Sequence, residues 1–206
     1  NNKSSLWDST WAADQGPSGK VFGFFYSTWG INFTLLGNSL ATPVKEGGKE
    51  EVGNGIYGAY AVCEGPQSYY WGGTWICAAQ GTDNANLVKD IMLKMTTDDD
   101  IMKDIVVDDD DFVNNSTVMN GLADGSIKVK DDKEYTSKIL GGQNPLPMYC
   151  AGVETLDLSN ISAYDQGCNE EFQKAMKNYF EGKATKDEAL ELFYKGVTEK
   201  YPELTY

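Results

Sequence analysis

The chain has 206 residues, enough for one domain or two small lobes with a sizeable core. Hydrophobic residues make up 41% and aromatics 12%, so the chain should fold. A net charge of −14 argues against nucleic acid and anionic membrane surfaces as partners, because both need clustered cations.

His and Arg are both missing, and all 17 cations are Lys. Without His there is no Ser-His or Cys-His nucleophile pair and no imidazole metal ligand. Without Arg there is no bidentate clamp for carboxylate or phosphate. The expected ligand is therefore not a strong anion. No apolar run reaches the ~18 residues of a membrane span. No signal peptide is visible, so any targeting segment has been removed or lies upstream. The cysteines, Cys63, Cys77, Cys150 and Cys168, form no Cys-x-x-Cys pair. In a core-rich chain they read as free thiols rather than a disulfide framework.

In chain order, residues 5–15 predict a short helix stopped by Gly16-Pro17. Residues 20–26 (KVFGFFY) predict an aromatic strand, followed at once by a helix over 28–36. Five glycines and Pro43 make 37–55 a loop. Residues 56–63 and 69–79 read as a second and a third strand, the last buried. Helices follow. Leu87, Val88, Ile91, Met92 and Met95 form an apolar stripe over 85–95. Thr97-Asp98-Asp99-Asp100 predicts a capping box opening a helix through Ile105. Further helices are expected over 115–122, 134–140 and 147–151. Two amphipathic helices close the chain, over 162–181 and 185–200, the first stopped by Gly182 and the second opened by a Thr185–Glu188 capping box. Three strands do not complete a doubly wound sheet, so partner strands are expected in chain not given.

Aromatics gather where strands are expected to end: Tyr26 and Trp29 in one stretch, Tyr69, Tyr70, Trp71 and Trp75 in another. Sugar C–H faces pack on such rings while Asp, Asn and Gln bind hydroxyls, and ligands of open α/β sheets sit beyond strand ends. The same rings could equally be core. The runs Asp98–Asp100 and Asp108–Asp111 lack the turn Gly and terminal Glu of a calcium loop, and read as helix-terminal or solvated carboxylates. No metal and no cofactor are expected. Nothing singles out a catalytic acid/base pair among 31 carboxylates.

Five stretches, in this order, resemble the extracellular solute-binding proteins of sugar ABC importers. They are Gly19 to Trp29; Tyr69 to Trp75; Leu87 to Met95 with Thr96-Thr97-Asp98; Asp111-Phe112-Val113-Asn114-Asn115; and Ala163-Tyr164-Asp165-Gln166. The chain is similar to the maltose-binding-protein-like group, especially versions from gut Firmicutes, and resembles the C-terminal half. The resemblance implies an α/β chain forming part of a two-lobed, type II periplasmic-binding-protein-like fold, with a helix-rich C-terminal lobe. Residues 1–63 and 115–206 would build that lobe, and 65–114 would cross the hinge into the N-terminal lobe, the rest of which is absent. It implies ligand contacts from Trp29, Tyr26, Trp71, Gly73, Trp75, Tyr164 and Asp165. Trp29 would stack on sugar, Tyr164-Asp165 would open a cleft-facing helix, and Gly72-Gly73 with the tryptophans beside them would lie near the hinge. The implied function is non-enzymatic: binding a neutral sugar or oligosaccharide outside the cell and passing it to ABC permease subunits, anchored by a lipid on the missing part. A secreted carbohydrate-active enzyme and a structural surface module are the alternatives. Without its other half the chain is expected to self-associate through 69–79.

Overall fold

A computed structural model describes residues 7–206. Two compact units divide the chain, one running to Leu156 and the other spanning Asp157–Tyr206. Among the described residues there are eight α-helices and no strand ladder, only isolated bridges between Val129 and Lys133 and between Ser137 and Gln143. The fold is thus helix-rich with almost no strand.

The first unit begins with α1 (Ser9–Asp14), which bears out the expected short helix, although its residues 5 and 6 lie outside the described residues. The helix expected over 28–36 forms as a π-helical stretch, Ile31–Leu36, running into α2 (Gly37–Ser39). Helix α3 is Ala85–Thr97 and α4 is Asp99–Asp109. The cap between them is Asp98, not Thr97: its carboxylate accepts from the N–H groups of Asp100 and Ile101, both at 3.2 Å. Asn115 caps α5 (Ser116–Asp124) through Val118 N–H, and α6 is Leu146–Glu154, with Pro147 in its first turn.

The three expected strands, 20–26, 56–63 and 69–79, do not form. A strand needs a neighbour to take its N–H and C=O groups, and each segment carries glycine, with Gly58, Gly72 and Gly73 at positive φ. Side chains supply several of the bonds a ladder would have made. The Gln143 amide bonds both the N–H and the C=O of Val62 at 2.8 Å, and the Tyr69 hydroxyl donates to the Tyr26 carbonyl at 2.5 Å. The segment 69–79, expected to be buried, is largely exposed, with Trp75 at 82%.

The helix expected over 134–140 is also corrected. Tyr135, Ser137 and Ile139 are buried, while Glu134, Thr136 and Lys138 between them are exposed. That is a period of two, and the chain here is non-helical, pinned by the Ser137–Gln143 bridge. It separates two apolar clusters of this unit. One gathers Met102, Val106, Val118, Met119, Leu122 and Leu146 from α4, α5 and α6, with Val113 and Tyr135 from the non-helical chain between them. The other gathers Ile31, Leu35, Leu40, Tyr57, Ile139 and Leu140. Tyr149 packs against both. Each large side chain buried this fully stabilises by about 1.5–3 kcal/mol.

The second unit is a hairpin of α7 (Asp165–Phe180) and α8 (Lys186–Lys200). Gly182, at φ 71°, ends α7 in the left-handed conformation, and the Thr185–Glu188 capping box opens α8; both were expected. Ala175, Met176, Ala189 and Val197 fill the seam, Phe172 meets Phe193 edge-on at 5.4 Å, and Lys200 pairs with Glu170 at 2.8 Å.

Candidate functional site

Eight aromatic residues lie between positions 7 and 33. Several of them converge on Tyr26 and Trp29. The Trp29 ring stacks on Trp7 with centroids 6.1 Å apart and planes 11° from parallel. Phe33, one helical turn onward, meets it edge-on at 5.9 Å. Tyr26 lies 5.4 Å from Trp29, 5.9 Å from Trp11 and 5.6 Å from Trp71. Trp71 meets Trp29 edge-on at 6.0 Å.

Polar bonds fix the rings. The indole N–H of Trp29 donates to the Trp71 carbonyl at 3.0 Å, and the Ser27 hydroxyl reaches the same oxygen at 3.3 Å. The Thr34 hydroxyl donates to the Gly30 carbonyl at 2.9 Å and is bonded to the Tyr26 hydroxyl at 3.2 Å. Gly30 is buried so tightly that a Cβ there would stand 1.6 Å from the Tyr26 ring. Burial raises the Tyr69 hydroxyl above the ordinary tyrosine pKa, so it stays a donor to Tyr26. The indole N–H of Trp11 is buried and has no acceptor among the described residues.

Of the residues singled out from sequence, the structure therefore brings together Tyr26, Trp29 and Trp71. Gly73 follows Trp71 by two residues, at φ 145°, and Trp75 is exposed away from the ring contacts. Tyr164 and Asp165 belong to the second unit. There the Asp165 carboxylate accepts from the Ser162 hydroxyl at 2.7 Å and the Ser162 N–H at 3.2 Å, bonds that hold its pKa below the usual carboxylate value. Tyr164 packs edge-on against Tyr201 at 5.0 Å, and its hydroxyl bonds to Glu203, which raises its pKa. A shallow hollow of about 430 Å³ in this unit lies beside Tyr194 and Tyr206, stacked at 5.0 Å, and contains none of the candidates.

Sequence reasoning missed Trp7, Trp11 and Phe33 as members of the cluster. The density of aromatics before position 34 was the available signal. Chemically, the cluster offers ring faces, indole and phenol edges and several carbonyls. The ring faces suit a ligand with weakly apolar C–H faces, while the named carbonyls already accept bonds from within the cluster. No group of three or more Cys, Asp or Glu side chains that could hold a metal ion occurs among the described residues. All four cysteines are free thiols. Among the described residues, no helix is long and apolar enough to cross a membrane. Comparison with protein-family models, with curated proteins and with solved structures returned no significant match.

Proposed function

We propose that this chain is the C-terminal half of an extracellular sugar-binding protein that supplies an ABC importer, with a type II two-lobed fold completed by chain on its N-terminal side. The observation that carries the reading is the convergence of Tyr26, Trp29 and Trp71, joined by the Trp29 indole bond to the Trp71 carbonyl. The absence of Arg and His supports a neutral ligand over an anion. In this mechanism a neutral sugar or oligosaccharide binds between open lobes. The lobes close by hinge motion, and the closed form docks on the permease. Because Trp7 is stacked over Trp29, a sugar ring packs on the outer face of Trp7 or takes its place against Trp29. The protein performs no chemistry on the sugar and sits outside the cell on a lipid anchor.

Micromolar affinity requires about −8 kcal/mol, and one stacked aromatic contributes about 0.5–1.5 kcal/mol beyond its area. Half a cleft therefore falls short. The test is calorimetry and product analysis with a panel of neutral mono- and oligosaccharides on the full-length protein. Binding without turnover, weakened about tenfold by Trp29→Ala, supports the proposal. Turnover at catalytic rates would assign the carbohydrate-active enzyme instead. No binding to any member of the panel would remove the sugar reading.

A further inference from the structure

Helix α3 (Ala85–Thr97) contains no buried residue. Its apolar stripe is complete nonetheless. Leu87, Ile91 and Met95, spaced four apart on one face, are exposed at 59%, 49% and 40%. A helix of 13 residues is marginal in water by itself, because helices of this length draw their stability from a packed apolar face. The face of α3 is thus built for a partner.

The charges say which kind. Lys89, Asp90 and Lys94 are the charged residues of this helix, so it has one more cation than anion in a chain of net charge −14. Asp90 and Lys94 lie on the same flank of the Leu87–Ile91–Met95 stripe, by the 100° step of the helix. Neither belongs to an ion pair among the described residues. In an antiparallel pair of identical helices, each flank faces the same flank of its partner. Asp90 of one copy then meets Lys94 of the other, twice over, with Ile91 on the two-fold axis and Leu87 opposite Met95.

We propose that α3 is a self-complementary docking surface whose occupant is α3 of a second copy of this chain, paired antiparallel about Ile91. The pairing concerns the 206-residue chain by itself; in the full-length protein of the sugar-binding proposal, residues 65–114 belong to the N-terminal lobe, which would compete for the same face. A 13-residue helix is about 20 Å long and about 10 Å wide, so the strip is well below the ~800 Å² per partner of a standard interface. The dimer is consequently weak and reversible, dissociating on dilution.

Sedimentation equilibrium on the 206-residue chain, from micromolar to near-millimolar concentration, tests it. A concentration-dependent monomer–dimer equilibrium is expected, with Ile91→Asp raising the dissociation constant at least tenfold. Asp90→Lys and Lys94→Asp should each weaken the dimer, and the two together should restore it. Asp90→Lys also lowers the net negative charge, so general repulsion would predict the opposite change. Circular dichroism confirms that each variant retains its helix content. A monomer at every concentration would overturn the proposal and leave the stripe to a different partner. A dimer unaffected by Ile91→Asp, or tightened by Asp90→Lys, would overturn it as well.

Discussion

Replacing Gly30 by alanine should injure the aromatic cluster more than its size suggests. Gly30 has an ordinary right-handed conformation, φ −67° and ψ −18°, so alanine brings no backbone strain. The cost is spatial. The new Cβ would lie 1.6 Å from Tyr26 Cε1 and 1.8 Å from Cδ1, so the ring must move. Tyr26 is held by Trp11, Trp29 and Trp71 and by the Thr34 hydroxyl, so it cannot move alone. Overpacking of this kind costs about 1–3 kcal/mol. At about 2–4 °C per kcal/mol for a chain of this size, Tm should fall by roughly 2–12 °C. The near-ultraviolet circular dichroism of the tyrosine and tryptophan rings should change with it. Gly37 is the internal control: it is helical at φ −62°, and nothing lies within 4 Å of its missing Cβ. Gly37→Ala should leave Tm unchanged or raise it, since alanine in a compatible site gains about 0.4–1 kcal/mol. Adding Tyr26→Ala to Gly30→Ala should show non-additive loss, because the first change frees the space the second needs. If Gly30→Ala melts like the parent with an unchanged near-ultraviolet spectrum, the packing of Tyr26 described above is wrong.

Asp165→Asn separates two roles: lost sugar affinity at constant Tm, read by calorimetry on the full-length protein, places Asp165 at ligand, whereas lost stability alone leaves it as the partner of Ser162 at the α7 N-terminus. Acidification should act oppositely on the two units. Asp110 and Asp111 have pKa values raised chiefly by burial, so the folded state binds protons more readily and this part of the first unit gains stability as pH falls through those raised values toward 3.8. Asp165, Glu170 and Glu188 have lowered values set by hydrogen bonds, so their contribution to the second unit is complete above about 4.5 and is lost as pH falls through the lowered values. Hydrogen exchange resolved by segment reads both, and Asp110→Asn should flatten the first trend while Tyr135 keeps an acceptor. A chelator or added calcium should leave Tm unchanged; a calcium-dependent rise of several degrees would make the Asp108–Asp111 run a metal site.

The sequence by itself determined most of the α-helices. The stripe of Leu87, Ile91 and Met95, the Thr185–Glu188 box and the Gly182 stop are local signals, each contained within a few turns of chain. Their positions could be read because helical hydrogen bonds close within the segment that makes them. The sequence also singled out Tyr26, Trp29 and Trp71 as candidates, but not that they meet. That depends on the Trp29 indole reaching a carbonyl 42 residues away. Residues 20–26, 56–63 and 69–79 have strand composition, yet composition supplies no neighbouring ladder. With none beside them, their backbone groups turn to Gln143, Tyr69 and Trp29. Residues 134–140 show the reverse. Their apolar residues, Tyr135, Ile139 and Leu140, stand at helical spacing, and the period of two appears only once two apolar clusters claim Tyr135 and Ile139 and the polar Ser137 is buried as well. Tertiary structure decided these segments because strand-like chain satisfies its hydrogen bonds only through residues distant in sequence.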